Sequence, residues 1–172
     1  MPRDFIIDTD TASDDAVALL MALRHPDIRV VAITTVAGNV ELERATRNAL
    51  YAVELSGTEA PVYRGSDRPL RRPLEVATFF HGEDGLGDRG YPPPGRLPGD
   101  GDAVEVIVET VRANPGIVMV TLGPLTNVAR ALDVAPDIVA NVDRCVVMGG
   151  AACTVGNVTP ASEYNVWVDP DA

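Results

Sequence analysis

The sequence predicts an α/β fold, a mainly parallel β-sheet flanked by helices on both faces in a Rossmann-type arrangement. Three observations predict it. Short β-branched or aliphatic runs of strand length alternate with segments of helical periodicity. The β-α-β order that results needs crossovers, which place helices over both faces of a parallel sheet. Turn and stop signals, Pro26 and Gly57 among them, fall at the ends of the helical patterns.

The elements follow in order. FII (5–7) reads as a strand, and Ser13 as the cap of a helix beginning DDAVALLMALRHP. Pro26 follows the end of that helix, and His25 sits near its negative dipole end. IRVVAITTV (28–36) is a buried strand, and ELERATRNALYAVELSG (41–57) a helix closing on Gly57, with acids early and arginines later as the dipole favours. PVY (61–63) marks a short strand. Residues 64–101 change character: HGEDGLG and YPPPGRLPGDG exclude regular structure, leaving a long loop region with one short helical piece. Loops of this length in a compact domain tend to be functional, and this one is placed near the active site. DAVEVIVETVRANPG (helix), IVMVTLG (strand), PLTNVARALDVAP (helix) and RCVVMGG (strand) complete the pattern as one domain over residues 1–172. The final VWVDPDA reads as the lead-in to another helix, with Asp169 as cap and Pro170 at its first position. The expectation is therefore the N-terminal portion of a longer fold, with an exposed sheet edge that lowers solubility or is covered by association.

Charge excludes some partners. A net charge of −11 provides no clustered Lys and Arg for nucleic acid and no basic patch for an anionic membrane. No apolar stretch reaches the length of a membrane span, and MPRDFIID lacks a signal-peptide core. Cys145 and Cys153, without CxxC spacing, read as reduced core thiols of a cytoplasmic protein.

The chemistry concentrates in DTDTASDDA, Asp8 to Ala16. Ligands of open parallel sheets bind outside the carboxyl ends of the strands, where Asp8 and Asp10 fall. Asp14 and Asp15 open the next helix. Each acid has a bland reading: Asp14 and Asp15 suit a helix's first turn, and Asp8 suits a turn cap. Together they would repel or take up protons unless a cation sat among them, and hard oxygen ligands select Ca²⁺ or Mg²⁺. An EF-hand is excluded, because its sixth and twelfth positions counted from Asp8 hold Ser13 and Leu19 rather than Gly and Glu. A haloacid-dehalogenase-type phosphatase fits Asp8 and Asp10 but not Ala12.

IIDTDTASDDAVALLMAL, VAITTVAGNV, HGEDGLG, TLGPLTNVA, VVMGGA and GNVTPASEYNVWVDPDA, in that order, closely resemble the N-terminal portion of the inosine-uridine-preferring nucleoside hydrolase family. The resemblance implies a nucleoside hydrolase-like α/β domain, commonly dimeric or tetrameric, that cleaves the N-glycosidic bond of ribonucleosides to free base and ribose. It implies Ca²⁺ held by Asp10, Asp15 and the Thr126 carbonyl, with Asp10 also the general base toward a metal-bound water and Asp8 organising the loop behind them. Asp14, Asn39, Asn157, Glu163 and Asn165 are implied to bind the sugar, and His81 to lie near the base. Asn39 also reads as a turn residue after Gly38, and His81 as polar loop surface. Gly149 and Gly150, after a strand, read as allowing close backbone approach to the site or as a tight turn. The family's leaving-group histidine and a further calcium aspartate are expected beyond Ala172. Two other readings stay open: a non-catalytic half-site that binds ribose and Ca²⁺, and a metal-dependent phosphohydrolase using the same carboxylates.

Overall fold

The computed structural model describes residues 2–172. Its elements run β1 (Arg3–Thr9), α1 (Ser13–Arg24), β2 (Ile28–Thr35), α2 (Leu42–Ser56), β3 (Val62–Arg64), α3 (Thr78–His81), α4 (Ala103–Ala113), β4 (Ile117–Thr121), α5 (Thr126–Val134), a 3-10 segment (Pro136–Asn141), β5 (Val142–Val147) and α6 (Tyr164–Val168). The five strands pair in parallel in the order β3-β2-β1-β4-β5. The expected parallel sheet with helices on both faces is what forms.

Successive strand residues point to opposite faces, and β1 shows the consequence. Ile6 packs with Ile107, Val111, Met119 and Ile138 beneath α4 and α5. Ile7, its neighbour, packs with Leu19, Ile33, Val53 and Val62 beneath α1 and α2. Truncating a fully buried side chain such as Ile33 to Ala costs about 2–5 kcal/mol, so these two layers hold β1 tightly in place. Helix ends follow local chemistry: Asp102 caps α4 by accepting from Val104 N at 2.9 Å, and Gly57 ends α2 at φ 76°.

Three local expectations, for Ser13, Cys145 and Cys153, are corrected. Ser13 does not cap α1; Ala12 takes that position with no side-chain bond, and Ser13 Oγ turns instead to His81. Asp169 ends α6, its Oδ2 accepting from Thr126 Oγ1 at 2.6 Å and Leu70 N at 2.9 Å, and Ala172 N returns to its carbonyl at 3.3 Å. Cys145 and Cys153 are exposed rather than in the core. Cys145 lies on β5, which among the described residues pairs with β4 alone and has five exposed residues of six; Cys153 sits in a turn at φ 61°. Among the described residues no helix is long and apolar enough to cross a membrane.

Strand order reverses at β1: β2 and β3 lie to one side of it, β4 and β5 to the other. The crevice at such a switch point, outside the strand carboxyl ends, is where ligands of this architecture bind. Asn127, fully buried, ties the crevice walls together. Its Nδ2 donates to Asp8 Oδ1 at 2.8 Å and to the Thr35 carbonyl at 3.0 Å, and its Oδ1 accepts from Ser66 N at 2.8 Å. Asn127→Ala is expected to cost about 3 kcal/mol in urea denaturation, since buried partners lose their hydrogen bonds without gaining water. A loss below about 1 kcal/mol would show that the network contributes little.

Candidate active site

The chain leaves β1 through Asp8, Thr9 and Asp10 and enters α1 two residues before Asp15, so three carboxyl groups gather at the crevice. All three are buried: Asp8 is 2% exposed, Asp10 0% and Asp15 1%. The protein holds one oxygen of each. Asp8 Oδ1 accepts from Thr34 Oγ1 at 2.5 Å as well as from Asn127; Asp10 Oδ2 accepts from Asn39 N at 2.5 Å; Asp15 Oδ2 accepts from Thr9 Oγ1 at 2.6 Å. The second oxygens, Asp8 Oδ2, Asp10 Oδ1 and Asp15 Oδ1, are buried and have no donor.

Burial without a cation disfavours the charged forms. Loss of water around Asp8 pushes its carboxyl up to about 6, against the pull of the Asn127 and Thr34 bonds. Asp10 rises well above the carboxylate range, first through burial and then through the Asp15 charge, and Asp15 rises too.

Two glycines make room for Asp10. A Cβ on Gly38 would overlap the Asp10 carboxylate, and one on Gly123 would lie 2.9 Å from Asp10 N and 3.0 Å from its Oδ1. Neither position needs a left-handed backbone, so the demand is for space. Gly123→Ala is expected to lower stability by about 1–3 kcal/mol and to weaken cation binding, read by thermal melts with and without Ca²⁺. An unchanged melt in both conditions would remove the steric argument.

The acid pair fits a hard divalent cation as an anchor. It presents two buried oxygens, Asp10 Oδ1 and Asp15 Oδ1, with no hydrogen-bond partner and no Lys or Arg paired with either carboxylate among the described residues. It is not a complete shell: among the described residues no three His, Cys, Asp or Glu side chains form a metal cluster. Calcium's six to eight oxygens would therefore include carbonyls, water or ligand hydroxyls.

A cleft of about 540 Å³ opens beside the acidic segment. Asp14, Asn39, His81, Asn157, Glu163 and Asn165 all line it, although they come from four separate segments of the chain. Several are held rigidly. Glu163 accepts from the amides of Gly150 (2.9 Å), Asn165 (3.0 Å) and Val166 (3.3 Å), and Asn157 Oδ1 accepts from Tyr164 N at 2.9 Å. Asn165 Nδ2 donates to the carbonyls of Leu122 and Met148, tying the ends of β4 and β5, while its buried Oδ1 has no donor. His81 is buried, and burial pushes its pKa down. Gly149 and Gly150 also line the cleft, Gly150 at φ 81°.

Asp10, Asp15 and Thr126 do not line the cleft. Asp10 is one bond away, through Asn39 N. Thr126 begins α5, and its hydroxyl is committed to Asp169. Sequence reasoning missed Gly38, Gly123, Thr9, Thr34, Asn127 and Tyr164. Tyr164 bridges the site, its hydroxyl 3.1 Å from the Gly38 carbonyl and 2.8 Å from that of Glu75, just before the α3 loop. Gly38 and Gly123 each follow a strand, a signal that resembles any loop glycine.

Comparison with known proteins gives the family and the fold. A family model described as inosine-uridine preferring nucleoside hydrolase matches residues 5–172. A probable uridine nucleosidase 2 of Arabidopsis thaliana is 44% identical over 174 residues, taking in 99% of this chain and 54% of the relative. The solved plant nucleoside hydrolase PpNRh1 superposes with a TM-score of 0.94 at 41% identity, over 99% of this chain and 55% of that one. A purine-preferring ribonucleoside hydrolase from Gardnerella vaginalis superposes equally well, TM-score 0.94 at 38% identity, over 98% and 55%. The chain spans about half the length of the curated relatives it matches.

Proposed function

The chain belongs to the inosine-uridine preferring nucleoside hydrolase family, and from that premise we propose that its protein hydrolyses the N-glycosidic bond of ribonucleosides to free base and ribose, in a Ca²⁺-dependent reaction centred on Asp10. The observation that carries the proposal is the placement of six polar residues around one cleft, joined through Asn39 N to a buried pair of half-satisfied aspartates.

Asp10 and Asp15 would hold the cation, with the Thr126 carbonyl as a further donor. Bound Ca²⁺ would polarise a water molecule and grip vicinal sugar hydroxyls. The residues themselves do the rest. Asp10, ionised when the cation is bound, takes a proton from the attacking water. Asp14 and Asn39 hydrogen-bond the ribose hydroxyls, and Asn165 Oδ1 is a ready acceptor for another. Glu163 and Asn157 position the sugar from the opposite wall. As the bond to the base breaks, positive charge grows on the sugar ring. The nearby carboxylates stabilise that charge more than they stabilise the neutral nucleoside, and this difference is what accelerates the reaction.

Release of ribose from inosine and uridine tests the reading, with the 172-residue chain and with a form extended to the relatives' length. Turnover that stops on chelation and returns with Ca²⁺ is the expected result. Nucleoside binding without ribose release in both forms would favour a non-catalytic half-site. Turnover of a phosphate ester alone would favour the phosphohydrolase reading. The family's dimeric or tetrameric assembly and a cytoplasmic location complete the proposal, checked by light scattering and by fractionation.

A further inference from the structure

We propose that Asp169 is a positioning residue for the cation site: from the end of α6 it holds the hydroxyl of Thr126, and so fixes the segment that walls Asp10 and carries the Thr126 carbonyl. The proposal rests on the Ca²⁺ reading of that site for its ligand, while the contacts behind it are the chain's own.

Asp169 is 3% exposed, and Thr126, 43 residues earlier, is 1% exposed. Thr126 Oγ1 donates to Asp169 Oδ2 at 2.6 Å, within the range of short hydroxyl–carboxylate bonds. Leu70 N, from the long loop, donates to the same oxygen at 2.9 Å. The Thr126 hydroxyl has no other partner among the described residues. Asp169 is not committed to a salt bridge there either, since the nearby Arg71 lies 3.8 Å from Asp171 instead.

The segment that Asp169 holds lies directly against Asp10. A Cβ on Gly123 would meet Asp10 N and Oδ1, and a Cβ on Gly38 would meet both the Asp10 carboxylate and, at 2.8 Å, Pro124 Cδ. α6 grips the segment at both of its ends. Asn165 Nδ2 donates to the Leu122 carbonyl at 2.7 Å, and Asp169, one helical turn further on, takes the Thr126 hydroxyl. From the other side Leu122 N donates to the Asp8 carbonyl at 2.8 Å, and Asn127 Nδ2 to Asp8 Oδ1 at 2.8 Å. Residues 122–127 are therefore bracketed between β1 and α6, and Asp169 supplies the bracket at Thr126.

That bracket has a chemical use. A carbonyl ligand has no net charge to draw it to a cation, so it depends on being held in place. Threonine is stiff at χ1, and a fixed Oγ1 leaves its own backbone little freedom. Loss of an outer partner of a metal ligand typically weakens binding by about 10–100-fold. An Asp169 that only secured Leu70 and the end of α6 would change stability and leave cation affinity alone.

Thr126→Val separates the two roles, because it removes the hydroxyl and keeps the carbonyl and the shape. In the 172-residue chain at pH 7.5, calorimetric titration with Ca²⁺ alone is expected to show affinity lowered about tenfold, restored by Thr126→Ser. Asp169→Ala should weaken binding by a similar factor and add little to Thr126→Val, since both remove the same bond. Should Asp169→Ala fail to fold, the two Thr126 variants carry the test. Ile138→Val, in the core of the 3-10 segment, is the control: it lowers the melting temperature and leaves affinity unchanged. Amide exchange without cation gives a second reading, in which Leu122 and residues 125–127 exchange faster in Thr126→Val than in the wild type or Thr126→Ser. Unchanged affinity and exchange in Thr126→Val, or an equal loss of affinity in Ile138→Val, overturns the proposal. If the wild type binds no Ca²⁺ while exchange still responds to Thr126→Val and is rescued by Ser, the positioning role stands and the cation reading fails.

Discussion

In the absence of calcium, the protein is expected to lose stability as pH rises from about 4 to about 6, the reverse of ordinary acid denaturation. The sign follows from the buried acids. In the unfolded chain an aspartate titrates at 3.8, whereas Asp8 in the fold titrates at about 6. Between those values the folded state holds a proton that the unfolded state has released, so each rise in pH favours unfolding. The stability is fully present below the unfolded value and gone once pH passes the folded one. For Asp8 alone the window corresponds to roughly 3 kcal/mol, and Asp10 and Asp15 shift in the same direction. Asp4 and Asp137, held low by Arg29 and Arg112, act oppositely, but these pairs are largely exposed and weak. Calcium should replace the missing protons. At pH 7.5, a concentration about 100-fold above its Kd would add about 2.7 kcal/mol, roughly 5–10 °C in Tm for a chain of this size. The increment should shrink toward pH 5, where protons compete for the same oxygens. Scanning calorimetry across pH with chelator and with calcium measures both effects. A melting temperature that climbs steadily with pH and ignores calcium would contradict the account.

Asp10→Asn is expected to move stability and activity in opposite directions. The amide keeps an oxygen for the Asn39 N–H and gains N–H groups that can face Asp15 Oδ1, now an acceptor without a donor. It also removes one of two neighbouring buried carboxylates. Without calcium at pH 7.5, the variant should be about 1–2 kcal/mol more stable than the wild type, in the manner of active-site residues kept at the expense of stability. Hydrolysis should fall by about 10³-fold or more, because the variant lacks both the proton acceptor and a charged cation ligand. Urea denaturation and ribose release on the same preparations test the pair. Reduced stability together with retained turnover would mean that Asp10 is a structural group.

The two levels of description divide along physical lines. Strands and helices were legible because burial on two faces and cap chemistry act through near neighbours: Ile6 and Ile7 announce opposite cores, and Gly57 announces a helix end. The acidic segment was legible as well, since four aspartates in eight positions have few uses. Cys145 differs because apolar flanks indicate a strand but not what covers it, and among the described residues β5 pairs with β4 alone. Ser13 was misjudged because a hydroxyl at a helix start normally bonds to its own backbone, and only the folded loop brings His81 within its reach.

By itself, then, the sequence determined the layered parallel sheet, the family, and the segment that carries the charge, all consequences of local pattern. Tertiary structure alone decided which oxygens are left without a donor, that Gly38 and Gly123 must be bare for Asp10 to fit, and that Asn127 and Tyr164 bind distant loops into one crevice. Those facts depend on contacts between residues up to 126 positions apart. Hydrogen bonds and steric limits act through space, and a linear pattern records only the neighbours along the chain.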